Sequence, residues 1–286
     1  MQKNNHVTID TLRLMLPSLS ETRLAEQDYP VEVDEFVKIL KLDKIFDHRE
    51  EVSQGLNGYT RSFIYGGEEI GPNISIMFNP KHLDTMGVLC EISSTAKSTY
   101  EGLARIKSIE VDWQKIIMWV YRRTFSQSKY EHRISSGHVS RIDIATDFIN
   151  YGFSIDQINQ KLMKDEYQFL NSRHQLIQKR RIKTINYDNK TLTIYVGSRK
   201  ADAYLRLYDK KRQEIDTNGR YKGLAQSVND WVRFEGEFKK RKAHAIGKMI
   251  SELPLSVDMY SYLVDVLLQH WSLIDNEIED YNDRKN

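Results

Sequence analysis

The stretch Trp231-Val-Arg-Phe-Glu-Gly-Glu-Phe238 puts Arg233, Glu235 and Glu237 on one side of an extended chain, with Val232, Phe234, Gly236 and Phe238 on the other. Period-two patterning does not suit a helix, so the apolar side must be buried in a sheet whose other side stays polar. The same alternation recurs at 59–65, 73–78, 139–148, 182–187, 191–196 and 203–208. The runs 182–187 and 191–196 are separated by Asp188-Asn189-Lys190, which predicts a hairpin. Helical periodicity appears at 34–41, 113–123, 154–163 and 257–280, with Asp112 and Ser154 placed to cap two of these helices. The last stretch carries Tyr260, Leu263, Leu267, Trp271 and Ile274 on one stripe, which predicts a long docked helix with acidic residues near its end. Together these predict an α+β fold: a mainly antiparallel, curved sheet with helices packed on it and a helical C-terminal segment. The expected division is a domain over 1–250 and a helical segment over 251–286.

Charge is distributed unevenly. Residues 173–248 carry 20 basic and 8 acidic side chains, against 20 and 24 in residues 1–172 and 2 and 8 in 249–286. A net charge of +2 therefore masks a basic block, which suits a polyanion partner such as DNA. The lone Cys90 excludes a disulfide framework and a cysteine metal cage. With no apolar run long enough to span a bilayer and no secretion signal, the expected location is the cytoplasm.

Several chemistries lack their residues. No two of the eight histidines lie within five positions of each other, so neither HxH nor HExxH spacing occurs. GxxxxGK[ST] and GxSxG are also absent. A metal site would have to be built from oxygen ligands, which points to Mg²⁺ or Mn²⁺. Two strands could supply them. RIDIATDF at 141–148 aligns Arg141, Asp143, Ala145 and Asp147 on one face, and the strand at 231–238 aligns Glu235 and Glu237. If the two are neighbours, three or four carboxylates converge within reach of one hard cation; the plainer alternative is a ladder of arginine–carboxylate pairs. Gly236 would leave room for another backbone or a substrate to come close.

The segment YVGSRKADAYLRLYDKKR at 195–212 ends its second strand on Tyr208, followed by Asp209, Lys210, Lys211 and Arg212. A phenol with an ordinary pKa of about 10 becomes a phosphodiester nucleophile only with help, and cations supply it. By residue type alone, Tyr195 and Tyr204 are rival nucleophiles. Arg199 and Lys200, on the turn between these strands, and Lys211 and Arg212 are candidate DNA contacts. So are Lys239, Lys240, Arg241 and Lys242, which lead into a segment of helical character over 243–252 that exposes His244 and Lys248 one turn apart.

NISIMFNP at 73–80, RIDIATDF at 141–148, YVGSRKADAYLRLYDKK at 195–211 and WVRFEGEFK at 231–239, in this order, resemble the trans-acting (Rep_trans) initiators of rolling-circle plasmid replication and related initiators of integrative conjugative elements. The YxGSRxxxxxxRxY-x-KK block is the most specific of the four. The resemblance implies a sequence-specific nicking and joining enzyme that works as a homodimer on an origin hairpin extruded from supercoiled DNA, with a helicase as partner. It implies Tyr208 as nucleophile, leaving a 5′-phosphotyrosyl link and a free 3′-hydroxyl, with Arg206 and Lys210 neutralising phosphate. It also implies Asp143, Glu235 and Glu237 as metal ligands, with Asp147 ranked behind them. Two alternatives compete: a non-catalytic copy-control DNA-binding protein, and a tyrosine recombinase suggested by His138-Val-Ser-Arg141. The first has no use for facing carboxylates, which repel phosphate; the second would need its HxxR element on a helix.

Overall fold

The computed structural model describes residues 2–17, 29–53, 58–66, 73–80, 86–123, 136–188 and 190–276. In chain order the elements are β1 (Asn4–Leu16), α1 (Val31–Ile39), α2 (Leu42–Ile45), β2 (Arg49–Val52), β3 (Tyr59–Tyr65), β4 (Ile74–Pro80), β5 (Val88–Ile92), α3 (Ser94–Ile106) and α4 (Trp113–Arg122). There follow β6 (His138–Ile149), α5 (Ile155–Met163), β7 (Tyr167–Leu170), a 3₁₀ turn at Lys179–Arg181, β8 (Ile182–Tyr187), β9 (Lys190–Gly197) and β10 (Ala203–Asp209). The chain closes with α6 (Lys210–Asp216), α7 (Lys222–Ser227), β11 (Trp231–Lys239), α8 (Lys240–Glu252), α9 (Met259–His270) and β12 (Ser272–Asp275). The fold is α+β and its sheets are mainly antiparallel.

The chain divides into two compact units. One comprises Met1–Thr8, Asp143–Phe238 and Tyr260–Asn286; the other comprises Ile9–Ile142 and Lys239–Met259. In the second unit the strands run β2-β3-β4-β5-β1. Leu12, Leu14, Phe36, Phe78 and Tyr100 are buried there, and the Tyr100 hydroxyl donates to the Leu40 carbonyl at 2.8 Å. Asp112 caps α4 as its position predicts, accepting from the Lys115 amide at 2.9 Å. Helix α8 buries Ala243, Ile246, Gly247 and Ile250. A Cβ at Gly247 would meet Val139 at 2.5 Å and the Tyr121 hydroxyl at 2.6 Å, so only glycine permits this approach.

In the first unit the order is β6-β11-β10-β9-β8. The apolar side of these strands, with Ile194, Val196, Leu205, Leu207 and Val232, packs on Ile155, Ile158 and Leu162 of α5 and on Phe169 of β7. Each such side chain contributes about 1.5–3 kcal/mol on burial. Ser154 caps α5 in a reciprocal box with Gln157. The hairpin of β8 and β9 forms in the predicted place, with Tyr187 paired to Lys190; Asn189 lies outside the described residues.

Two expectations are corrected. The helix predicted over 257–280 ends at His270, and Ser272–Asp275 instead pairs antiparallel with β7. The apolar stripe misleads because Trp271 and Leu273 still bury, against the core under α5, from a non-helical backbone. The acidic residues expected near that helix's end fall at 277–280, outside the described residues. Gly236 makes room for neither backbone nor substrate: a Cβ there would meet Leu267 at 2.6 Å and Trp271 at 2.8 Å. Strand β1 is not among the expected strands, although the alternation of Leu12, Leu14 and Leu16 could have revealed it.

Candidate active site and nucleic-acid interface

The polar side of the first unit's sheet carries the residues that the sequence singles out. Antiparallel register sets Tyr204 opposite Glu237, Arg206 opposite Glu235 and Tyr208 opposite Arg233. Tyr208 donates its phenolic proton to Glu235 Oε2 at 2.9 Å, and Arg206 holds the other oxygen of the same carboxylate at 2.5 Å. On the neighbouring strand β6, Asp147 receives a bidentate pair from Arg233, Nε to Oδ1 and Nη2 to Oδ2, both 2.7 Å. Asp143, Asp147, Glu235 and Tyr208 are 1%, 3%, 4% and 8% exposed. Buried carboxylates such as Asp147 and Glu235 persist because guanidinium partners offset their desolvation. Arg233 shares a face with Glu235 in the sequence pattern, but its role in anchoring Asp147 is not carried by any motif.

The three candidate tyrosines have different partners. The Arg206 guanidinium lies 5.0 Å from the centre of the Tyr208 ring. Burial works against the charge of Arg206, but Glu235 and Tyr208 outweigh it and hold its pKa above the ordinary value. The Tyr208 hydroxyl thus donates to a carboxylate oxygen while a guanidinium lies against its ring. Tyr195 and Tyr204 are stacked on each other, ring centres 5.8 Å apart and 14° from parallel. Both of their hydroxyls accept from Arg199, at 3.4 and 3.3 Å. Burial raises the Tyr204 pKa while Arg199 pulls it back. A guanidinium donor cannot take a proton from either ring.

The carboxylates as placed do not form a cage for a hard cation. Among the described residues no group of three or more His, Cys, Asp or Glu side chains stands so as to hold a metal ion. Both oxygens of Glu235 and both of Asp147 are already engaged, by Arg206, Tyr208 and Arg233. The arginine–carboxylate ladder is the arrangement formed here, with Asp143 and Glu237 on the same side of it.

The cations fall into distinct settings. Lys210 is buried against Glu214, at 2.5 Å, and Gln213, at 3.0 Å. Lys211 donates to the carbonyls of Val228 and Asn229, which ties α6 to the approach of β11. Arg212 pairs with Asp216 and covers the Tyr187 ring. Lys200 is exposed on the β9–β10 turn beside Arg199. Lys240, Arg241, Lys242 and Lys248 are exposed on α8 and Lys239 is half-buried, and all five belong to the other unit. His244, exposed on α8, accepts the Tyr121 proton at its carbonyl, 2.7 Å away. His138 and Arg141 lie on β6, a strand, and not on the helix that a recombinase would need.

The sequence matches the model of the replication initiation factor family, Rep_trans, over residues 137–286, more than half of the chain. The chain belongs to that family. The matched segment contains β6, β10 and β11 whole, and runs through the C-terminal residues, where no motif is evident by eye. The initiator-like NISIMFNP strand at 73–80 lies outside it. Among solved structures, this family member is similar to a rolling-circle replication initiator protein from Geobacillus stearothermophilus, with a TM-score of 0.60 and 15% identity. That likeness covers 94% of this chain and 86% of the other, and at such identity it speaks for the fold. A search of curated proteins found no match. No helix among the described residues is long and apolar enough to cross a membrane.

Proposed function

We propose that this replication initiation factor starts rolling-circle replication by nicking one strand of an origin, with Tyr208 as the nucleophile. The observation that carries the reading is the Tyr208 hydroxyl at 2.9 Å from Glu235 Oε2, with Arg206 on the other oxygen. As the phenol oxygen attacks phosphorus, its proton passes to Glu235 Oε2. A tyrosyl–phosphorus bond forms and the bond from phosphorus to the 3′ oxygen breaks. The proton held on Glu235 then neutralises the departing 3′ oxygen, so charge and atoms balance. The products are a 5′-phosphotyrosyl link and a 3′-hydroxyl for a polymerase. Because one phosphodiester replaces another, the same groups can rejoin strands without ATP.

Arg206 is the cation proposed to offset charge on the phosphate, since it already sits over the phenol ring. Lys210 could take part only by exchanging Glu214 for phosphate. No step is assigned to Mg²⁺ or Mn²⁺, because Glu235 already spends both oxygens on Arg206 and Tyr208. The proposal includes work as a homodimer at an extruded hairpin, with a helicase unwinding behind the nick. A non-catalytic DNA-binding role does not account for a phenol paired with a carboxylate.

Incubation with supercoiled DNA carrying the parent replicon's origin is expected to yield nicked circles with protein covalently attached at the 5′ end. Tyr208→Phe loses only a hydroxyl and should abolish the adduct while duplex binding persists. An adduct that survives this change would pass the nucleophile's role to Tyr204 or Tyr195.

A further inference from the structure

A groove of about 1110 Å³ lies in the same unit as Tyr208, at the end of the β8–β9–β10 sheet. Arg180, Arg181 and Lys183 line it from the 3₁₀ turn and β8, and Arg199 and Lys200 from the β9–β10 turn. All five are exposed, and no acidic side chain is among the described residues that line it. Aromatic rings share the lining: Tyr195, half-buried, stacked on the buried Tyr204 and approached by the Arg199 guanidinium at 5.2 Å from its centre, and the half-buried Trp271. Leu176 and Ile185, 54% and 50% exposed, add apolar surface.

Strand register ties this groove to the nucleophile. Lys183, Tyr195, Arg206 and Glu235 form one row across β8, β9, β10 and β11. Ile185, Thr193, Tyr208 and Arg233 form the next row. One strand separates β8 from β10, about 10 Å at the usual spacing. We infer that this groove holds the single-stranded DNA flanking the scissile phosphate, with bases on the Tyr195 platform and phosphates on Arg181, Lys183 and their neighbours. Its composition is the one such strands require: cations to follow the backbone and π-faces that accept any base. A duplex, with its bases already stacked inward, would gain from the cations but not from the rings. The inference rests on the nicking reading, since that chemistry is what demands an exposed strand beside Tyr208.

The test uses the full chain in a Tyr208→Phe background, so that nothing is cleaved, and a dye-labelled oligonucleotide as probe, either single-stranded or annealed to its complement. Arg181→Gln combined with Lys183→Gln should weaken single-strand binding. The log–log salt slope should become shallower by roughly 0.7 for each phosphate left without its cation, about 1.4 for the pair, with a smaller loss of affinity for duplex. Tyr195→Leu should cost at least about fivefold in single-strand affinity, whereas Tyr195→Phe keeps the ring and the affinity. Unchanged single-strand binding in the Gln pair, or an equal loss on duplex, would overturn the groove as a single-strand site. So would tighter binding of single-stranded RNA of the same sequence. The nicking reading fails separately, when the unmutated chain forms no adduct on its origin.

Discussion

At the scale of single residues, the candidate chemistry rests on Glu235 sharing its two oxygens between a phenol and a guanidinium. A carboxylate used in this way is a proton acceptor oriented by Arg206; one that served as a metal ligand would have to give up one of those partners. The two roles predict different outcomes for Glu235→Gln. The amide keeps the shape and cannot accept the phenol's proton, so nicking of origin DNA should slow by about a hundredfold or more. Raising Mg²⁺ or substituting Mn²⁺ should not restore it. Recovery at millimolar Mn²⁺ would make Glu235 a ligand. The Asp147–Arg233 pair calls for a different comparison. Arg233→Met leaves a buried carboxylate without its fork and should destabilise the fold by about 3–5 kcal/mol in urea titrations. Loss of nicking with full stability would instead put Arg233 in the chemistry.

At the scale of elements, the sheet was legible and its edges were not. Alternation along 203–208 and 231–238 is enough to place Tyr208, Arg206 and Glu235 on one side, because period two leaves no freedom once the apolar side is buried. Partner identity is another matter. Nothing in the spelling of RIDIATDF says that Asp147 will meet Arg233, since register between distant strands is decided by packing of the whole sheet. The C-terminal stripe failed for a related reason: helical spacing through Trp271 also satisfies a chain that leaves the helix at His270 and buries Trp271 beside Phe238. Gly236 records that packing. Gly236→Ala drives a methyl into Leu267 and the Trp271 ring, and should cost about 1–3 kcal/mol of stability by urea unfolding. A neutral result would mean that α9 shifts freely on the sheet.

At the scale of the whole molecule, the proposed nicking residues and the exposed basic helix belong to different compact units of one chain. Tyr208, Arg206, Glu235 and Asp147 fall within Asp143–Phe238, while Lys240, Arg241, Lys242 and Lys248 fall within Lys239–Met259. A helix that buries Ala243, Ile246 and Ile250 and turns its lysines and arginine to solvent can lie against phosphates. We propose that α8 recognises the origin; this role and the proposed strand transfer at Tyr208 should then separate by mutation. Lys240→Gln combined with Arg241→Gln should lower affinity for duplex origin DNA. The log–log salt slope should flatten by roughly 0.9 for each phosphate no longer neutralised. A short single-stranded substrate at saturating concentration should still be nicked at the unmutated rate, because that substrate needs only the unit holding Tyr208. Parallel losses on both substrates would mean that α8 serves the nicking step itself, and the functional division between the two units would not hold.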